Sequence, residues 1–88
     1  MLEYDRKKLG NYLKDIREQS SLTQADVSTK LGYSSPQFIS NIERGISVVP
    51  LKTLGRMVGL YKVSPDSVVR IILDSQKKLL KDRLTRSR

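Results

Sequence analysis

Gln37 and Asn41 stand four residues apart, the spacing that places two side chains on one face of an α-helix. Each ends in a carboxamide, which donates and accepts hydrogen bonds together. That paired chemistry matches the edge of adenine in the major groove of a duplex. Phe38 stands beside them, suited either to a thymine methyl or to packing against a neighbouring turn. Ile39 and Ile42 fall three apart, so the opposite flank of the segment is made for burial. Ser34, Ser35 and Ser40 add hydroxyls nearby. Arg44 and Lys52 add cations of the kind that hold phosphate without specifying sequence. Other chemistry is poorly supplied. The 88 residues contain neither Cys nor His, which removes thiol nucleophiles, disulfides, imidazole bases and ordinary zinc sets. The carboxylates are scattered and the serines fall at capping positions, so no enzyme activity, metal or cofactor is expected.

The segment that must position these groups runs from Thr23 to Gly45, two short helices joined by a tight turn. Thr23 is a helix N-cap by residue type. Ala25, Val27, Ser28 and Leu31 then supply a packing face, and Asp26 and Lys30, four apart, are an exposed helix pair. Gly32 ends that helix in the left-handed conformation glycine accepts. Ser34 or Ser35 caps the next helix, Pro36 occupies its first turn, where no amide is lost, and Gly45 closes it.

This stretch resembles the helix-turn-helix of the lambda-repressor-like (Cro/C1, Xre-type) family. The likeness is carried by Leu22-Thr23-Gln24, by Leu31-Gly32, and by Ile39-Ser40 with Ile42-Glu43-Arg44-Gly45, and it extends over roughly residues 9 to 73. One departure stands out: the interval from Gly32 to Gly45 is one residue longer than usual, with the extra residue among Tyr33, Ser34, Ser35 and Pro36. The resemblance implies an all-α, five-helix DNA-binding domain from a bacterial or phage source. On such a domain the residue chemistry gives base contacts to Gln37, Phe38, Asn41 and Ser35 and phosphate contacts to Ser34, Ser40, Arg44 and Lys52, and the resemblance itself implies a phosphate contact from Gln24. Gln24 would hold its phosphate at a helix N-terminus, where amides and the helix dipole also welcome an anion; the plainer reading is that it helps cap its own helix. The family's arginine before Leu-Thr-Gln falls on Arg17 and its glutamate partner on Glu43, implying a partly buried ion pair.

Around this unit the periodicity predicts three further helices. Residues 5 to 19 form the first, capped by Asp5, with Leu9, Leu13 and Ile16 inward and Tyr12 flanking them. Met1 to Tyr4 is a frayed lead-in. Gly10 inside that helix costs about 1 kcal/mol relative to alanine; close approach of another helix would account for it. Residues 46 to 49 form a loop whose Ile46, Val48 and Val49 either pack inward or make a small exposed patch. The fourth helix, 50 to 61, starts at Pro50 and turns Leu51, Leu54, Met57 and Val58 inward, with Gly55 and Gly59 suggesting close backbone packing. Ser64-Pro65-Asp66 is a helix start of cap, proline and acid. The fifth helix runs from there to about Leu84, with Val68, Val69, Ile72 and Leu73 closing the core. Residues 1 to 75 are read as the DNA-binding domain and 76 to 88 as a basic helical extension. Ile72, Gln76 and Leu79 continue a stripe along it with Leu80 and Leu84 beside it, suited to pairing two chains, chiefly through Ile72, Gln76, Leu79 and Leu80, with a frayed, solvated helix end as the alternative.

The net charge of +8 points to a polyanion. It is unevenly spread: Lys77, Lys78, Lys81, Arg83, Arg86 and Arg88 against Asp82 give the last twelve residues +5, and the other 76 hold +3. No apolar run is long enough to cross a bilayer and no signal-peptide pattern opens the chain, so a cytoplasmic protein is expected. The first expectation is therefore a sequence-specific regulator of transcription, commonly a repressor, that places its third helix in the major groove of a two-fold-symmetric operator as a homodimer. The rival is an antitoxin or coactivator-like adaptor on the same fold, with the C-terminal helix docking a protein partner. A membrane-surface role for the basic tail is weaker, because its apolar side lacks Trp and Phe.

Overall fold

In a computed structural model that describes residues 3–86, five helices follow one another: α1 (Arg6–Gln19), α2 (Gln24–Leu31), α3 (Gln37–Glu43), α4 (Leu51–Tyr61) and α5 (Pro65–Arg86). Met1 and Leu2 of the lead-in, and Arg88 of the basic tail, lie outside the described residues. The Asp5 carboxylate accepts from the Lys8 amide at 2.9 Å and caps α1. Thr23 and Asp26 form a reciprocal capping box at α2: each backbone amide donates to the other side chain, at 2.9 and 3.0 Å. Asp26 is thereby turned toward the cap, and its carboxyl is held below its ordinary pKa first by the Thr23 amide and only least by Lys30. The expected Asp26–Lys30 pairing is thus subordinate to capping.

The core is a single cluster. Leu9, Leu13 and Ile16 of α1 meet Val27 and Leu31 of α2, Ile39 and Ile42 of α3, Leu54, Met57, Val58 and Tyr61 of α4, and Val68 and Ile72 of α5. Val49 packs inward from the loop, whereas Ile46 and Val48 are exposed. Helices α1 and α3 pack most extensively, and Gly10 makes this possible. A Cβ there would sit 2.5 Å from the Ile42 carbonyl oxygen and 2.6 Å from that of Glu43. The glycine lets the end of α3 lie directly on the α1 backbone.

Several inward assignments fail, for one geometric reason. Successive residues of a helix differ by about 100° in direction, so a helix packed on one side buries a narrow stripe. Val68 and Ile72 occupy that stripe in α5, leaving Val69 and Leu73 exposed. In α2 the stripe is Val27, Ser28 and Leu31, and Ala25 is exposed. Leu51 opens α4 and is 69% exposed at the lip of an apolar groove shared with Tyr4, Val48 and Pro50. Gly55 and Gly59 face open space, with no atom within 4 Å of a Cβ built on either, so they mark no close packing. Ile72 belongs to the core and not to the exposed C-terminal stripe, where Leu80 is 59% and Leu84 63% exposed and Gln76 and Leu79 are half-buried.

α5 continues without a break across residues 75 and 76. Buried Ser75 accepts from the Asp5 amide at 3.1 Å and donates to the Ile72 carbonyl at 2.9 Å. An exposed ion pair between Arg83 and Glu3, at 2.6 Å, also ties the end of α5 to the N-terminal segment. Among the described residues no helix is long and apolar enough to cross a membrane.

Candidate nucleic-acid interface

The site is a polar edge carried by α3 and flanked by α1 and α2. α3 begins after Pro36, one residue later than the sequence suggested, and no side-chain cap is made there at full strength: the Gln37 amide reaches Ser35 Oγ at 3.4 Å. The turn before it is held from within. Gly32 adopts φ +87°, the Tyr33 amide bonds the Ser28 carbonyl at 2.9 Å, and the buried Ser28 hydroxyl donates to the Ser35 carbonyl. This loop keeps Ser34 and Ser35 exposed.

Gln37 is exposed and Asn41 half-exposed on the outer face of α3, with Ile39 and Ile42 sealed behind them. The two amides touch: Gln37 Nε2 donates to Asn41 Oδ1 at 2.9 Å, and Arg44 Nη2 donates to the same oxygen at 2.9 Å. Gln37, Asn41 and Arg44 therefore form one ordered row. Phe38 is half-buried, packed on the core and edge-on to the Tyr33 ring with centroids 5.0 Å apart. Of the two roles its residue type allows, this is packing against the turn.

Behind the row, Glu43 is 3% exposed and Arg17 is 7% exposed. Arg17 Nε donates to Glu43 Oε2 at 2.6 Å, Nη2 to Oε1 at 3.0 Å, and Nη1 to the Leu22 carbonyl at 2.8 Å. The hydrogen bond to Glu43 is the main reason the guanidinium pKa rises above its ordinary value, with burial opposing it. Gln24 completes the group, donating from Nε2 to Glu43 Oε1 at 2.9 Å. In this structure its amide nitrogen is committed to Glu43, and Thr23, not Gln24, caps α2. The knot locks α1, α2 and α3 together directly beneath the outer face.

Three residues that sequence reasoning passed over join the site. Lys7, Asn11 and Lys14 of α1 line a polar recess with Gln24, Ser40, Glu43 and Arg44. Their spacing of four and three puts them on one helix face, a signal present in the sequence but without meaning until α1 is known to lie against α3. Glu43 is neutralised there by Arg17, so the recess is net basic. Lys52, in the first turn of α4, is exposed. Ile72, Gln76, Leu79 and Leu80 lie on α5 and form no part of this edge. Among the described residues there is no cluster of side chains suited to a metal ion.

A short helix braced by a second across a glycine turn, presenting a polar outer row from an all-helical five-element domain, defines a helix-turn-helix protein. A family model described as helix-turn-helix matches residues 13–68, and the chain belongs to the lambda-repressor-like (Cro/C1, Xre-type) family of DNA-binding transcription regulators. Two crystal structures of the clp gene regulator ClgR from Corynebacterium glutamicum share the fold, with TM-scores of 0.70 and 0.71 at 22% identity. The first alignment covers 86% of this chain and 96% of ClgR, the second 99% and 93%. A variant of the restriction-modification controller protein C.Esp1396I aligns with a TM-score of 0.65 and 24% identity over 84% of this chain and 97% of its own. No curated protein matches the chain significantly in sequence.

Proposed function

We propose that the chain is a sequence-specific regulator of transcription, acting as a repressor, that binds a two-fold-symmetric operator as a homodimer with α3 in the major groove. The observation that carries this reading is the outward row of Gln37, Asn41 and Arg44 on a helix whose other side is sealed by Ile39, Ile42 and the Arg17–Glu43 pair. A rigid helix presenting donors and acceptors outward is what reading of base edges requires. Gln37 and Asn41 read bases, with Ser35 beside them and Phe38 packed behind against Tyr33. Ser34, Ser40, Lys52 and Gln24, the last through the second N–H of its amide, meet phosphates on either side, and the α1 recess offers Lys7 and Lys14 to a further one. Two copies pair along α5 through Leu80, with Gln76 and Leu79 at its margin, placing the recognition helices about one helical turn of DNA apart. A bacterial or phage-infected cytoplasm fits this role.

Selection of preferred sites from random duplexes at two salt concentrations tests the reading. A palindromic consensus whose affinity falls steeply with salt is expected; recovery of no consensus at either concentration overturns it. The adaptor reading rests on the same exposed leucines of α5. In the full chain, Leu80→Asp places a charge on a residue already 59% exposed and leaves the core untouched. Loss of both the dimer, by sedimentation, and operator affinity is expected. A monomer that keeps full operator affinity favours a protein partner instead.

A further inference from the structure

The orientation of the Asn41 amide is fixed by its neighbours. Arginine carries donors and no acceptor, so the atom of Asn41 facing Arg44 Nη2 at 2.9 Å must be Oδ1. Gln37 approaches that same atom, also at 2.9 Å, and must donate to it through Nε2. A carbonyl oxygen has two lone pairs, and both are now taken. Asn41 therefore has no acceptor left for a ligand and presents only the two N–H groups of Nδ2. Gln37 gives up one N–H to the row and keeps its Oε1 together with its second N–H.

We infer that Arg44 is a specificity-determining positioning residue, which with Gln37 turns Asn41 from a two-way amide reader into a donor-only one. This rests on the DNA-reading role proposed for α3 and sharpens it. A free asparagine pairs with adenine because it accepts from N6 and donates to N7 at once. An asparagine that can only donate selects the one edge with two acceptors, the O6 and N7 of guanine, meets a single acceptor on adenine (N7) or thymine (O4), and gains nothing from the amino groups of adenine and cytosine. Gln37 retains the donor–acceptor pair and with it the capacity to read adenine. Two amides one helical turn apart thus read different bases, although their side-chain chemistry is the same. Arg44 carries this role whether or not it also meets a phosphate, because the bond that matters runs within the protein.

The test is site selection with the full-length protein and three variants. The position whose preference Asn41→Ala abolishes is the one Asn41 reads. In wild type that position holds guanine, favoured about 10-fold or more over adenine. In Arg44→Ala, one lone pair of Oδ1 is released, adenine is admitted, and the preference falls to about 2-fold, while the position read by Gln37 keeps its base. Arg44→Lys, which can still donate, restores most of the discrimination. Arg44 is exposed and lies at the C-cap of α3, and unchanged thermal melting checks that each variant folds. The inference is overturned if wild type prefers adenine at that position. It is equally overturned if Asn41→Ala alters no base preference, or if Arg44→Ala weakens every sequence alike with the consensus intact, which is the behaviour of a phosphate contact alone. Absence of any wild-type consensus would instead remove the DNA-reading role itself, and this inference with it.

Discussion

Arg17 and Glu43 meet across 26 positions of chain as a forked pair, Nε to Oε2 at 2.6 Å and Nη2 to Oε1 at 3.0 Å, with both side chains almost wholly out of solvent. The pair joins α1 to the end of α3, so it fixes the helix that carries Gln37 and Asn41. Such a pair contributes little net energy against a well-packed apolar replacement, because desolvation offsets the attraction, but removing one partner strands a charge. Glu43→Ala is therefore expected to cost about 3–5 kcal/mol, a fall in Tm on the order of 15–30 °C for a domain of this size. The double variant Arg17→Met with Glu43→Leu should recover a substantial part of that loss. Thermal denaturation followed by circular dichroism checks both, and equal losses in the single and double variants would show that the charge is not what makes the single change costly.

The three glycines inside helices separate into two kinds with opposite expectations. Gly10 lies under the α3 carbonyls, and alanine there would drive a Cβ to 2.5 Å from the Ile42 oxygen. Backbone cannot swing aside as a flexible side chain can, so Gly10→Ala should destabilise by roughly 1–3 kcal/mol in spite of alanine's better helix propensity. Because the displaced element is α3, operator affinity should fall further than stability alone accounts for. Gly55 and Gly59 have helical backbone and open surroundings. Alanine at either should stabilise by about 0.5–1 kcal/mol. Urea denaturation of the three variants decides the matter, and a stabilising Gly10→Ala would refute the packing described for α1 and α3.

Tyr61 is 5% exposed, and its hydroxyl makes no hydrogen bond to any described residue. Burial, with Glu43 nearby, pushes its pKa above the ordinary tyrosine value of 10.0, only partly opposed by Arg17. Two outcomes follow. Tyr61→Phe deletes a buried, unpaired hydroxyl and should be neutral or stabilising by up to about 1 kcal/mol near pH 7. Above pH 10 the unfolded chain ionises this phenol while the folded chain holds its proton. The contribution is thus complete below pH 10 and is lost as pH rises through the higher folded value, at up to about 1.4 kcal/mol per pH unit. The variant lacks this loss, so its advantage over wild type should grow between pH 10 and 11. A constant difference across pH 7 to 11 would place the phenol in water.

Much of the scaffold is legible in the residues themselves. Helix starts at Asp5, Thr23, Pro50 and Ser64-Pro65 follow from local hydrogen-bonding and φ preferences, which need no tertiary information. The stripes Leu9-Leu13-Ile16 and Ile39-Ile42 follow from period alone. What stays hidden depends on which neighbour arrives. Val68 and Val69 are identical side chains, and only the side of α5 on which the core lies buries the first and exposes the second. Gly10 reads as a defect in α1 until α3 lies on it. Tyr61, and Arg56 bonding the Leu31 carbonyl at 3.0 Å across the end of α2, have local sequences that say nothing of these roles. At the site, the spacing of Gln37 and Asn41 gives their shared face, but that Arg44 bonds the same oxygen, and that Lys7, Asn11 and Lys14 line the recess beside them, requires the assembled domain.

The cations around α3 are expected to act on affinity and the amides on sequence. Lys7 and Lys14 line the recess shared with Gln24, Ser40 and Arg44, and the expected partner there is phosphate. Lys7→Gln and Lys14→Gln should each lower affinity for all duplexes by a similar factor. Removing one cation from a phosphate should also flatten the plot of log affinity against log salt by about 0.9. Lys52→Ala should behave the same way. Gln37→Ala should instead cost about 1–3 kcal/mol on the preferred site, relax its own base position, admit adenine at the one read by Asn41 by releasing a lone pair of Oδ1, and leave the salt slope unchanged. Titration of the preferred duplex and a scrambled one across a salt series separates the two behaviours. Lysine variants whose slope equals that of wild type would remove α1 from the interface and confine phosphate binding to α2, α3 and the start of α4.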